Sequence, residues 1–288
     1  MSLVSGPVPP VYVTSILGLQ VPMAVGVTPD GTRLYVAEGE GDRTVRVIYL
    51  TTQAPPGTLT PPGTEPGTRK PMGIAVASSG VVYVVDRLRT LVDLYDPAGQ
   101  WLGTLADPPY VSGAWQPLGV AVNAEGEVYV TNGSVSGPAI AEYDAQGRFI
   151  TTYGTISQGA TGVSYPNAMA LAQNEYMFVS DSNHSRIVVM NTEGNVVTTY
   201  GGSVGDDSLA LPRGTFIDRR GFCYVTDATS HVVKVWDVTQ EPARFLFSFG
   251  EQGSADGQLL YPNAVAVDSR GRIYIADTGN DRIQIWAY

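Results

Sequence analysis

Six copies of one sequence unit, 46 to 50 residues apart, constrain the fold of this chain more than any other feature. Each copy begins with a proline, continues with a short run of small and apolar residues, and passes through a turn into a segment of alternating apolar residues. The six prolines are Pro22, Pro71, Pro117, Pro166, Pro212 and Pro262. A regular period of this length is typical of folds in which each unit is one small structural element and neighbouring units pack together.

The unit reads as four strands joined by turns. In the last copy we predict the first strand at "AVAVD" (264–268), the second at "IYIAD" (273–277) and the third at "RIQIW" (282–286). A fourth strand precedes the next proline in earlier copies, for example "NVVTTYG" at 195–201. β-Branched and aromatic residues favour strands, and glycine and aspartate favour the turns between them. Four antiparallel strands repeated six times predict an all-β fold, a six-bladed β-propeller.

The last copy lacks a fourth strand, because the chain ends two residues after Trp286. An unpaired third strand there would leave an open sheet edge between the last blade and the first. The segment "VYVTSIL" at 11–17 resembles the fourth strands of other copies, and it stands before Pro22 as they stand before their prolines. We therefore predict that residues 11–17 complete the last blade and close the ring.

The repeats extend along the whole chain, so residues 1–288 are predicted to form a single domain, in which residues 1–3 can belong to a tag. One segment departs from the pattern, because residues 51–71 of the first copy are rich in proline, threonine and glycine. Proline lacks the backbone donor that a regular inner strand needs. The segment is either an irregular outer strand or a loose surface loop, and the loop is the usual case.

Composition argues against several functional classes. The 17 basic and 27 acidic residues give a formal net charge of −10, which disfavours nucleic acid as a partner because its phosphate backbone is also negative. Cys223 is the only cysteine, so an intramolecular disulfide and a cysteine-based metal cluster are excluded. No apolar run is long enough for a membrane-spanning helix, and membrane insertion is not expected.

The expected location is outside the cytoplasm. The start of the sequence, "MSLVSGPVPP", resembles a trimmed or mature N-terminus, and Lys70 and Lys234 are the only lysines. Together with the Thr/Pro/Gly-rich segment 51–71, these features lead us to expect an exported protein.

The repeat unit resembles the NHL repeat. The shared pattern is Pro-x-Gly/Ala, a short apolar strand, Asp-x-x-Gly, a second strand that contains Tyr, and Asp-x-x-Asn-x-Arg before the third. "YPNAVAVDSRGRIYIADTGNDRIQIW" at 261–286 fits it nearly completely and the fourth copy fits well, whereas the others depart from it in the loop after the second strand. The resemblance implies a six-bladed propeller. It does not imply one function, because NHL and related propellers include RNA-binding and protein-binding modules, sensor domains, a zinc-dependent peptidyl-hydroxyglycine lyase and calcium-dependent lactonases.

A polar column stands at the end of the second strand of each copy. Its members are Glu38, Asp86, Asn132, Asp181, Asp227 and Asp277. Their side-chain oxygens can accept hydrogen bonds from loop backbone, and an arginine five residues later can pair with the carboxylate. A column that repeats around the ring favours a scaffold role, since a catalytic site normally breaks the ring's symmetry. We therefore interpret Asp181 with Arg186, and Asp277 with Arg282, as structural pairs.

The residue directly after each proline does break the symmetry. The six are Met23, Met72, Leu118, Asn167, Arg213 and Asn263. They open the innermost strands, so they are predicted to surround the mouth of the central channel, three apolar residues facing three polar ones. Either the apolar residues plug the channel, or the six form a small mixed pocket in which Arg213 anchors a carboxylate or phosphate. Asp181 and Asp227 are the nearest acids by column that could neutralise this arginine.

Candidates for catalysis and metal binding are few. His184 and His231 are the only histidines, no Ser-His-Asp set can be argued, and a zinc site needs at least three protein ligands. His184 is expected to be exposed to solvent. Calcium is less strictly excluded, because Asn167 and Asn263 with Glu38 or Asp181 carry suitable oxygens. We assign no catalytic residue, no metal ligand and no cofactor.

These observations favour a non-enzymatic propeller that recognises a protein or a small ligand on its upper face, with no nucleic acid partner. The basic candidates on that face, Arg87, Arg89 and Arg213, stand among acidic residues. The alternative is a metal-dependent hydrolase or lyase of the type that the resemblance brings in, acting at the channel mouth.

Overall fold

The computed structural model describes residues 7–109, 115–157, 162–173, 175–202 and 204–288. Its strands form six four-stranded antiparallel sheets, arranged as the blades of a β-propeller around a central channel. The predicted all-β, six-bladed fold is therefore confirmed. Two 3-10 turns, Ser182–His184 and Thr278–Asn280, occur in the described part of the chain, where no helix is long and apolar enough to cross a membrane.

Each blade runs from an inner strand at the channel to an outer strand at the rim. Numbered along the chain, the strands of blades one to three are β2 (Pro22–Val27), β3 (Arg33–Glu38), β4 (Val45–Tyr49) and β5 (Gly57–Leu59); β6 (Pro71–Val76), β7 (Val82–Asp86), β8 (Leu91–Tyr95) and β9 (Trp101–Thr104); and β10 (Pro117–Val122), β11 (Val128–Asn132), β12 (Ile140–Tyr143) and β13 (Phe149–Tyr153). Those of blades four to six are β14 (Pro166–Leu171), β15 (Met177–Asp181), β16 (Arg186–Met190) and β17 (Val196–Tyr200); β18 (Pro212–Ile217), β19 (Phe222–Asp227), β20 (Val232–Asp237) and β21 (Arg244–Phe249); and β22 (Pro262–Val267), β23 (Ile273–Asp277), β24 (Arg282–Ala287) and β1 (Val11–Ile16).

The inner strands of neighbouring blades lie so close together that only very small residues fit between them. A Cβ atom added to Gly73 of β6 would lie 2.7 Å from the carbonyl oxygen of Leu118 on β10. One added to Gly214 of β18 would lie 2.6 Å from the Cα of Ala264 on β22. This explains the glycine or alanine found two residues after each proline. Further from the axis, larger apolar side chains fill the core between blades, for example those of β12 and β16.

The N-terminal strand closes the ring. β1 pairs antiparallel with β24, beginning with Val11 opposite Ala287. Tyr12 packs edge to face against Trp286, with ring centroids 6.1 Å apart. The predicted completion of blade six is confirmed, and the strand ends at Ile16, one residue earlier than predicted.

The proline-rich segment after β4 supplies the outer strand of blade one. Its residues Gly57–Leu59 form β5, which pairs with β4, and Leu59 is buried. The strand lies between Pro56 and Pro61, because proline has no N–H group to donate to a neighbouring strand. The interpretation of the segment as a loose surface loop is therefore wrong, and the alternative of an irregular outer strand is correct.

A buried arginine ties this segment to the next blade. Arg69 is 1% exposed, and its Nη1 donates to the carbonyl oxygen of Leu59 over 2.9 Å. Its Nε pairs with Asp86 of blade two over 3.3 Å. A buried charge needs such a partner to offset its loss of hydration, so Arg69 holds the outer strand of blade one against blade two.

We expect deletion of residues 1–18 to lower the free energy of unfolding by several kcal/mol, because it removes a packed strand and exposes the edge of β24 and the ring of Trp286. Chemical denaturation of the truncated and full chains measures the loss. Deletion of residues 1–8 is the matched control, since it leaves β1 complete. If both truncated chains unfold at the same denaturant concentration as the full chain, β1 does not stabilise the ring.

Candidate functional site

The inner strands of the six blades surround a cavity of about 510 Å³ that follows the channel. We call the end at which the inner strands begin the upper mouth, and the opposite end the lower mouth. Turn residues that include Asp218, Arg219, Asp268 and Arg270 line the lower mouth. A cavity of this size lies within the range of small-molecule binding sites.

The structure places all six residues that follow the prolines at the upper end of this cavity. They are Met23, Met72, Leu118, Asn167, Arg213 and Asn263, and we call them the post-proline ring. Leu118 is buried and the other five are half-buried. The ring has an apolar arc from blades one to three and a polar arc from blades four to six, so a molecule in the mouth contacts two different surfaces.

Hydrogen bonds between blades orient the polar arc. The side-chain amide of Asn167 donates to the Ser182 hydroxyl over 2.6 Å, and its Oδ1 accepts a hydrogen bond from Arg213 Nη1 over 3.1 Å. Asn263 of blade six donates to the carbonyl oxygen of Met23 in blade one over 2.5 Å. The amides and the guanidinium group are therefore held in place before any ligand arrives.

Arg213 lies among neutral partners. The ion pairs formed by the described residues do not include it. Asp181 and Asp227, the nearest acids by sequence column, bind elsewhere, the first to Arg186 and the second to backbone N–H groups. Burial lowers the pKa of the Arg213 guanidinium below its usual value, and nearby Tyr165 acts in the opposite direction. The desolvation of this charge is only partly compensated within the chain.

A second ring of residues, not anticipated from the sequence, adjoins the post-proline ring. It consists of the residues directly after the polar column, which we call the post-strand ring: Gly39, Arg87, Gly133, Ser182, Ala228 and Thr278. A Cβ atom on Gly39 would lie 2.8 Å from Met23 Cγ, and one on Gly133 would overlap the Leu118 side chain. Five members are small and Arg87 is the exception. That single large residue in a column of small ones was the sequence signal.

The Arg87 side chain reaches from blade two across blade three to blade four. Its guanidinium carbon lies 5.5 Å from the ring centroid of Tyr165, within cation–π distance, and its Nη2 donates to Gln116 Oε1 over 3.3 Å. Its Nη1 is buried and has no hydrogen-bond partner among the described residues. Arg87 is therefore a second cation of the upper mouth whose contacts are with neutral groups.

The polar column makes contacts of a different kind. All six members are buried, and each accepts a hydrogen bond from the backbone that enters the inner strand of its own blade. Glu38 accepts from Gln20, Asp86 from Lys70, Asn132 from Gln116, Asp181 from Ser164, Asp227 from Leu211 and Asp277 from Leu260. The two predicted arginine partners lie at pairing distance, Arg186 at 2.9 Å from Asp181 and Arg282 at 2.7 Å from Asp277. Contacts that repeat in this way are typical of a scaffold.

Neither His184 nor His231 lines the cavity. His184, which we expected to be exposed, is half-buried, with Nδ1 2.8 Å from a carboxylate oxygen of Asp181. It takes the position of Asn280 in blade six, which donates to Asp277 over 3.0 Å. The expectation was wrong because the carboxylate at the end of the second strand binds the side chain three residues later.

In the part of the chain that the structure describes, no three His, Cys, Asp or Glu side chains come together as a potential metal site. The carboxylates considered for calcium are paired with arginines, Glu38 with Arg46 at 2.9 Å and Asp181 with Arg186. The upper mouth offers a ligand neutral amides, guanidinium groups and an apolar arc.

The last copy of the repeat, residues 259–286, matches the family model of the NHL repeat. This match and the six four-stranded blades together identify the chain. The protein is an NHL-repeat six-bladed β-propeller. No curated protein matches it significantly in sequence.

Several solved structures resemble this NHL propeller in fold. A protein of unknown function from Bacteroides thetaiotaomicron superposes with a TM-score of 0.74 at 16% identity, over 97% of this chain and 72% of the other. Virginiamycin B lyase from Staphylococcus aureus superposes with a TM-score of 0.67 at 14% identity, over 96% of this chain and 98% of the lyase. A chain of a nidogen–laminin complex superposes with a TM-score of 0.62 at 16% identity, over 80% of each chain. Similarity at these identities shows the fold alone.

We expect Asp277→Ala to lower the free energy of unfolding by about 3–5 kcal/mol, because it leaves the buried Arg282 guanidinium and the Leu260 N–H without their acceptor. The matched control is Asp256→Ala. The Asp256 carboxylate lies 4.0 Å from the same arginine but its side chain is 72% exposed, so its loss should cost less than about 1 kcal/mol. Equilibrium denaturation measures both variants. If Asp277→Ala kept full stability and lost only ligand binding, the scaffold interpretation would be wrong.

Proposed function

We propose that this NHL propeller is a non-enzymatic binding module that takes a small molecule into the upper mouth of its channel. The observation that carries the proposal is the cavity of about 510 Å³, whose upper end has an apolar arc facing a polar arc. Small-molecule sites usually combine an apolar lining with a few fixed polar groups, and Asn167 and Arg213 provide such groups here.

The loss of symmetry at this end of the ring supports the proposal. In a repeat protein, residues that every unit needs for folding recur from unit to unit, as the polar column does. The post-proline ring differs from blade to blade although its six positions are equivalent. Met23 and Met72 remain half-buried beside the cavity and do not fill it. The variation is therefore better explained by a ligand than by folding.

Hydrolase or lyase chemistry is the less supported alternative. Virginiamycin B lyase is an enzyme, and one solved form with quinupristin is a catalytically inactive variant in which a histidine is replaced by alanine. In the present chain the post-proline ring consists of methionine, leucine, asparagine and arginine. None of these side chains changes protonation near neutral pH, which general acid–base catalysis requires. The composition of the mouth favours binding.

Filling the upper mouth tests the proposed site. We expect a set of small-molecule fragments of mixed charge, detected by saturation-transfer NMR, to bind the wild-type protein and to lose binding in Met72→Trp, whose side chain occupies the cavity. The matched control is Val135→Trp. Val135 lies in the upper loop between β11 and β12 and is 90% exposed, so the same side chain is added outside the channel.

Thermal unfolding shows whether both variants are folded, and Met23→Phe replaces Met72→Trp if that variant is not. Loss of binding in the filled mouth together with normal binding in Val135→Trp supports the proposal. Fragments that bind all variants equally well would locate the site elsewhere and contradict it.

We also propose that the site works without a resident metal ion. Elemental analysis of the purified protein should find zinc and calcium well below one ion per chain. Addition of a chelator should leave the melting temperature unchanged, because a metal bound only to the folded state would stabilise it. One tightly held ion per chain, whose removal lowers the melting temperature, would favour the metal-dependent alternative.

A further inference from the structure

Two arginines break the neutrality of the upper mouth. The post-proline ring and the post-strand ring each contribute one residue per blade, and their charged members are Arg213 and Arg87. Both charges are positive although the chain carries a formal net charge of −10. The mouth therefore differs in sign from the protein as a whole, and it contains no carboxylate in either ring.

Other arginines on the same side of the propeller behave differently. Five of them pair with carboxylates: Arg46 with Glu38, Arg69 with Asp86, Arg89 with Asp93, Arg186 with Asp181, and Arg282 with Asp277. The ion pairs of the described residues include neither Arg87 nor Arg213. Acidic partners are thus available on this side of the ring, and the two arginines of the mouth do not use them.

The neutral partners of the two arginines are connected through one tyrosine. Arg87 lies 5.5 Å from the ring centroid of Tyr165, and Tyr165 is close enough to Arg213 to act on its charge. Gln116 accepts one hydrogen bond from Arg87, and Asn167 accepts one from Arg213. Each guanidinium group has five N–H donors, so both retain donor capacity beyond these contacts. Arg213 lines the cavity, whereas Arg87 lies at its rim.

We infer that the ligand is a small organic anion, and that Arg213 binds its carboxylate or phosphate group with Arg87 as the second positive charge. The planar fork of a guanidinium group matches both kinds of anion. The apolar part of the ligand then lies against the opposite arc of the ring, formed by Met23, Met72 and Leu118. This inference rests on the proposed function, because it names the ligand class of the same mouth.

Four aromatic probes of similar size separate charge from shape. We would titrate benzoate, phenyl phosphate, benzyl alcohol and benzylamine into the wild-type protein at low ionic strength and measure binding by calorimetry. The two anions should bind about 10- to 100-fold more tightly than the alcohol, the range expected for a charge-assisted hydrogen bond. The amine should bind more weakly than the alcohol, because both nearby charges repel it.

Variants of the arginines then locate the anion. Arg213→Gln should abolish the preference for anions, and Arg87→Gln should reduce it by about 3- to 10-fold, since its charge acts from a greater distance. The matched control is Arg270→Gln, which removes a positive charge from the lower mouth of the same cavity. This variant should keep the preference. Arg213→Lys keeps the charge without the fork and should fall between the wild type and Arg213→Gln. Melting temperatures verify that each variant is folded.

Three outcomes would overturn the inference. Equal binding of the alcohol and the anions, with binding lost in Met72→Trp, would leave the proposed function standing and show that the ligand is not an anion. Loss of the anion preference in Arg270→Gln but not in Arg213→Gln would place the anion at the lower mouth. Failure of all four probes to bind would contradict the anion site, and failure of the mixed-charge fragments as well would contradict the proposed function.

Discussion

The close approach of the inner strands is the constraint on which the rest of the structure depends. Neighbouring blades meet at glycine or alanine two residues after each proline, where Gly73 and Gly214 leave no room even for a Cβ atom. This contact fixes the distance between blades at the axis. The distance in turn sets the width of the channel, and so the volume in which a ligand could be held. A six-bladed ring with larger residues at this position would have to open outward.

Symmetry separates the residues that build this ring from those that distinguish its mouth. The buried oxygens at the ends of the second strands accept backbone hydrogen bonds in all six blades, and each blade holds its own inner strand in this way. The post-proline and post-strand rings lie beside these oxygens and carry few such obligations. Residues there can change without loss of the fold, which is why a specific chemistry at Arg87 and Arg213 is compatible with a regular scaffold.

The sequence predicted the features that depend on backbone position. Proline spacing gave the number of blades, the missing strand after Trp286 gave the closure, and equivalence between copies gave the ring at the upper mouth. It did not predict features that depend on where a long side chain turns. Arg87 binds Tyr165 two blades away and Arg69 enters the core from a proline-rich segment, and a repeat alignment contains no information about contacts between non-equivalent positions. For His184 the error was smaller, because the neighbouring carboxylate was known but its contact with the ring was not considered.

Closure by β1 has a consequence for the order of folding during synthesis. β1 leaves the ribosome first, yet its partner β24 is the last strand to be made, so its edge and the exposed side chains of Val11 and Val13 stay unpaired until translation is nearly complete. Contacts between such distant parts of a chain form slowly, because a large loop must close before they contribute. Until then, the nascent chain presents two open sheet edges that can pair with other chains. The last step of folding is therefore also the step that protects the protein from association with its own copies.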